Sequence, residues 1–121
     1  MTRRLVLGCA ALVVAGAITI SAHLTVVKST PSKDQTLDAS PARLQVWFSE
    51  TPAVGISQIT LAGPAGTIEI GKTSVEKDKS IAADLPKPLP AGIYTIGWRT
   101  AGDDGHPATG DIKFKIVPKK H

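Results

Sequence analysis

Three stretches of this sequence alternate apolar and polar residues with a period of two, and that pattern decides the fold class. Arg43 to Ser49 places Leu44, Val46 and Phe48 on one side and Gln45 and Trp47 on the other. Gly92 to Thr100 groups Tyr94, Ile96 and Trp98 against Thr95, Gly97 and Arg99. Asp111 to Val117 groups Ile112, Phe114 and Ile116, with Lys113 and Lys115 opposite. One-sided alternation marks antiparallel strands with one buried face and one wet face. Shorter runs at Leu24 to Val27, Ile56 to Leu61, Thr67 to Ile70 and Ser80 to Leu85 bring the set to about seven strands. Turn-forming segments separate them: Thr30-Pro31-Ser32-Lys33-Asp34, Ala62-Gly63-Pro64-Ala65-Gly66, Pro86-Lys87-Pro88-Leu89-Pro90 and Asp103-Asp104-Gly105-His106-Pro107. Beyond residue 22, no stretch holds apolar residues at helical spacing over three turns without a proline or glycine. The expectation is all-β: a seven-stranded Greek-key β-sandwich or small barrel, Ig-like in outline.

The first residues follow a different rule. Arg3 and Arg4 precede a run of 16 uncharged residues, Leu5 to Ile20, that ends in Ser21-Ala22. A basic start, an apolar centre and a small residue at the cut are the marks of a secretory signal peptide. The 121-residue chain therefore divides into a signal peptide, residues 1–22, and one domain, residues 23–121. A membrane anchor is the alternative, but the apolar run is shorter than the roughly 20 residues that span a bilayer, and no stop-transfer charges follow. A lipoprotein reading of Val6-Leu7-Gly8-Cys9 leaves only Leu5 to Gly8 as the apolar segment, too short for an h-region of about 7–15 residues.

Cleavage removes Cys9, the only cysteine, and Met1 is the only methionine. Any metal chemistry of the exported domain then rests on nitrogen and oxygen ligands. About 100 residues bury enough surface to hold together without a disulfide. The formal charge of the whole chain is +4. Without Arg3 and Arg4 the exported part carries twelve basic and ten acidic side chains, a net of +2. Its lysines are dispersed apart from Lys119-Lys120, which excludes a nucleic-acid footprint of clustered basic and aromatic residues.

Three histidines remain: His23, His106 and the terminal His121, the last at a chain end that frays. A cut after Ala22 makes His23 the first residue. An N-terminal histidine offers its α-amine and its imidazole Nδ1, which close a chelate ring on a metal. Reference pKa values of about 7.7–8.0 for such an amine and about 6.5 for an imidazole let both lose their protons near neutral pH. His106 lies two residues from Asp104, and in an extended segment such residues point the same way. Three nitrogens and a carboxylate oxygen suit tetragonal copper(II) better than copper(I). Taken alone, a cut before a histidine is a common coincidence, and the loop also reads as a turn with Asx hydrogen bonds and an exposed histidine.

A collinear set of residues resembles one known family. His23-Leu24, Ser29-Thr30-Pro31, Trp47-Phe48-Ser49-Glu50, Leu89-Pro90-Ala91-Gly92-x-Tyr94-x-x-x-Trp98-Arg99, Asp104-x-His106-Pro107-x-x-Gly110 and Phe114 are similar to the CopC copper-resistance proteins. The similarity runs from His23 to about Val117. It implies a periplasmic, cupredoxin-like barrel that binds copper(II), acts as a carrier or buffer in copper homeostasis or resistance, and works beside an inner-membrane protein of the CopD type. The expected protein is a monomer and not an enzyme. Residue by residue, the resemblance makes His23, Asp104 and His106 the metal ligands. It places Glu50 near them, hydrogen-bonding a ligand or a bound water; a surface acid at a strand end is the other reading. Tyr94 and Trp98 fall to the core or to packing under the site.

One departure narrows the expectation. Family members with a copper(I) site carry a methionine-rich loop, usually with a histidine, in mid-chain, whereas Gly63 to Ser80 contains neither residue. Thioether sulfur favours copper(I), so a single copper(II) site is expected. The rival reading is a copper oxidase or monooxygenase built on an N-terminal histidine brace. A chain this short and poor in aromatic residues offers little flat surface for a polysaccharide, and Asp104 as a ligand would occupy a position that oxygen chemistry needs open. N-terminal sequencing of the exported protein should begin His23-Leu24-Thr25; a start elsewhere contradicts the ligand role of His23.

Overall fold

The computed structural model describes residues 24–119. The expected signal peptide, His23 and His121 lie outside the described residues. Nine strands form: β1 Val26–Thr30, β2 Gln35–Leu37, β3 Arg43–Phe48, β4 Gln58–Gly63, β5 Gly66–Ile68, β6 Ser74–Val75, β7 Ser80–Asp84, β8 Gly92–Ala101 and β9 Pro107–Ile116. They make two sheets, β1-β3-β7-β6 and β2-β9-β8-β4-β5. All pairings are antiparallel except β2 with β9.

The all-β expectation holds, and its count of seven becomes nine among the described residues. The two added strands are β2 and β6, three and two residues long. Such lengths carry too few alternations to be read from sequence; tertiary pairing makes them strands. Boundaries also move. β4 begins two residues later than expected because residues 54–56 turn, leaving Ile56 42% exposed. β9 begins four residues earlier, with Pro107 as its first residue, a place where a missing N–H is tolerated.

Alternation becomes a core in the expected way. Leu44, Val46 and Phe48 of β3 and Ile81 and Ala83 of β7 point inward from one sheet. Ile59 and Leu61 of β4, Tyr94 and Ile96 of β8, and Ile112, Phe114 and Ile116 of β9 meet them from the other. Each of these is at most 6% exposed. Tyr94 stacks on Phe114 with centroids 5.4 Å apart, and its hydroxyl donates to Pro90 O at 2.6 Å. Burial raises the Tyr94 pKa above 10, so the phenol stays a neutral donor.

On the outer face of the other sheet, Lys28 Nζ lies 4.6 Å from the Trp47 ring centre. The Trp47 indole N–H donates to Asp78 Oδ2 at 2.9 Å, and the Ser80 hydroxyl donates to Asp78 Oδ1 at 2.5 Å. These donors, Ser80 first, lower the Asp78 pKa from 3.8 by favouring its charged form.

Two outcomes follow. Phe114→Ala should lower the unfolding free energy by about 3–5 kcal/mol, read from the urea midpoint at unchanged slope. The Asp78 contribution is present above its ordinary pKa and fades as the pH falls through the lowered value. Asp78→Asn should therefore reduce the loss of stability on acidification below about pH 4; an unchanged acid limb would show that these bonds do not matter.

Candidate metal centre

β8 and β9 pair in unbroken register from Gly92↔Ile116 to Ala101↔Pro107. Residues 102–106 close this hairpin. The Gly105 N–H donates to Gly102 O at 3.0 Å. Gly105 has φ 75°, in the left-handed region that glycine enters without steric cost. Asp104 then reaches forward: its Oδ1 accepts the His106 backbone N–H at 3.0 Å, and its Oδ2 lies 3.2 Å from His106 Nδ1. Carboxylate and imidazole do come together, as expected from their spacing. The reason differs, because Asp104 sits in a turn and not in an extended segment. Its Asx-type bond, not strand alternation, makes the pair. The His106 side chain is 77% exposed, and that of Asp104 34%.

The start of the described chain and the end of β3 lie at this same end of the sandwich. The Thr25 N–H donates to Ser49 Oγ at 2.9 Å, and the Ser49 N–H donates to Thr25 O at 2.9 Å. Leu24 is buried. A Cβ placed on Gly102 would lie 3.4 Å from Leu24 Cβ and would collide with Glu50 Oε1. That carboxylate oxygen accepts the Asp103 N–H at 3.0 Å. Glu50 is thus bonded to the backbone one residue before Asp104.

The structure therefore brings Asp104 and His106 together and sets Glu50 against their turn. His23 itself lies outside the described residues, next to the buried Leu24. Among the described residues no three His, Cys, Asp or Glu side chains are grouped to hold an ion. Sequence reasoning missed the Thr25–Ser49 bridge and the role of Gly102, because both depend on contacts between segments far apart in the chain. Trp98 packs edge-on against Phe48, with centroids 5.1 Å apart and planes at 69°. Gly110 is the residue beneath it: a Cβ there would meet the indole ring at 2.5 Å.

At the other end of the β8–β9 hairpin lies a largely apolar cleft of about 520 Å³, bordered by Pro64, Ile68, Leu85, Pro88 and Tyr94. Its lining contains no histidine or cysteine.

Residues 26–117 match the family described as the CopC domain. Copper resistance protein C of Escherichia coli is 32% identical over 114 residues, covering 87% of this chain and 90% of that protein. The copper transport protein CutJ of Bacillus subtilis is 33% identical over 98 residues, 78% of this chain. The chain spans only 18% of CutJ's length. The crystal structure of PcoC, a methionine-rich copper resistance protein from Escherichia coli, superposes with a TM-score of 0.66 at 32% identity, covering 79% of this chain and 100% of that one. These names describe copper resistance and copper transport, and none describes an enzymatic activity. With three quarters of its length matched and the same two-sheet fold, the chain belongs to the CopC family of copper-resistance proteins.

Proposed function

We propose that the chain is exported by cleavage after Ala22 and carries or buffers copper(II) in the periplasm as a monomer. Its ligands are the α-amine and imidazole of His23, the Asp104 carboxylate and the His106 imidazole. The observation that carries this reading is the Asp104–His106 pair, set on an exposed turn beside Leu24, the residue that follows His23. Two donors do not hold copper(II) tightly, and an N-terminal histidine adds two more from one residue.

The donor chemistry sets the oxidation state. Imidazole, amine and carboxylate suit copper(II), whereas copper(I) prefers sulfur. PcoC is described as methionine-rich, and this chain has one methionine, within the proposed signal peptide. A single copper(II) site follows, with no shuttling to a thioether site. The name of CutJ, a copper transport protein of which this chain covers 18%, fits a partnership with an inner-membrane copper transporter of the CopD type.

Isothermal titration of the protein beginning at His23 should give one copper(II) per chain. Placing one glycine before His23, or making His106→Ala, should weaken binding by about 3 kcal/mol, roughly a hundredfold. Affinity should also fall as the pH is lowered, because the ligands must shed protons to bind. Equal affinity for the native and extended chains would contradict the ligand set.

A further inference from the structure

Asp104-Gly105 is the only Asp-Gly pair in the sequence, and the chain contains no asparagine. Glycine carries no side chain to shield its amide nitrogen from the carboxyl group that precedes it. In this pair the carboxyl group is also folded back over the turn. Asp104 Oδ1 accepts the His106 N–H at 3.0 Å, and that bond closes a ring through Asp104 Cγ, Cβ, Cα and C and the Gly105 nitrogen. Those five atoms are the ones a succinimide joins. The hydrogen bond thus keeps the two reacting atoms, Cγ and the Gly105 nitrogen, in one short cycle, and such proximity lowers the cost of bringing them together.

Nothing crowds the turn at this point. Gly105 is exposed, and a Cβ built on it would find no atom within 4 Å. A closed ring or a lengthened backbone therefore meets no neighbour there. Water has access as well, since the Asp104 side chain is 34% exposed. The restraint is the Gly105 N–H bond to Gly102 O at 3.0 Å, which must open first. It lies beyond the last pair of the β8–β9 ladder, Ala101↔Pro107, where local opening costs least.

We propose that Asp104-Gly105 is a self-modification site at which the metal-free chain isomerises to isoaspartate, and that bound copper(II) prevents this by holding the Asp104 carboxylate. The second half rests on the ligand set proposed above. In the first step the Gly105 nitrogen bonds to Asp104 Cγ and one water leaves, made of the amide hydrogen, one carboxylate oxygen and a proton from solvent. In the second, water adds to the Asp104 main-chain carbonyl carbon, and the bond from that carbon to the Gly105 nitrogen breaks. The main chain then runs through Cγ and is one carbon longer, and the free carboxylate sits on Cα. The mass is unchanged and no reactant other than water is consumed. The lengthened turn shifts the carboxylate relative to His106, so the modified chain binds copper(II) more weakly.

The test incubates the chain that begins at His23 near neutral pH for several weeks, metal-free and with one equivalent of copper(II). Isoaspartate is read by isoaspartyl methyltransferase labelling and by electron-transfer fragmentation of the peptide that carries residue 104. The metal-free chain should accumulate isoaspartate at 104 and lose copper(II) affinity in the same proportion. Gly105→Ala should slow the change severalfold. Asp104→Asn closes the same ring with loss of ammonia and should react faster, gaining the mass difference between amide and acid. Absence of isoaspartate at 104 in the metal-free chain, or an undiminished rate in Gly105→Ala, would overturn the inference. Isoaspartate formed equally fast with copper(II) bound would remove Asp104 from the ligand set, while the modification site itself would stand.

Discussion

The continuous pairing of β8 with β9 is the constraint on which the proposed metal site depends. Ten residues of each strand lie in register. Inward residues Tyr94, Ile96, Ile112 and Phe114 hold that register, because a slip by one would turn the whole set to solvent. A register fixed over this length ends at a defined residue pair, Ala101↔Pro107. The turn beyond it is then short enough for the Asp104 side chain to meet both the amide and the ring of His106. Core packing and donor geometry are in this way one problem: the first decides where the second can exist.

Much of this was legible in the sequence. The three long alternating runs became β3, β8 and β9 with the expected inward residues, because period-two patterning and burial say the same thing there. β2 and β6 were not legible, since a few residues carry no period and their pairing is decided by neighbours. The Asp104–His106 contact was expected from an extended spacing and arises from an Asx turn, so the contact is present for a different reason. Glu50 was expected near the ligands, bonded to one of them or to a water. Its bond to the Asp103 amide, and the glycine that makes room for it, depend on Glu50 and Gly102 lying side by side in the fold, which the order of residues alone does not express.

The same end of the sandwich gathers three pieces of chain: residues 24–25, Ser49-Glu50 and the turn 102–106. Each is tied by hydrogen bonds of about 3 Å, and the bonds run between pieces as well as within the turn. Such a scaffold lowers the ordering cost of binding, because the donors do not have to be collected from a loose loop. It leaves the His106 ring open to solvent, which suits the proposed carrier role. On the proposed ligand set, nitrogen and oxygen donors select copper(II) over copper(I).

X-ray absorption at the copper edge, on the chain beginning at His23 loaded with one equivalent of copper(II), tests the central claim most directly. The account predicts a shell of nitrogen and oxygen only, with outer-shell scattering from two imidazole rings. A copper–sulfur contribution, or scattering from a single imidazole, would contradict it.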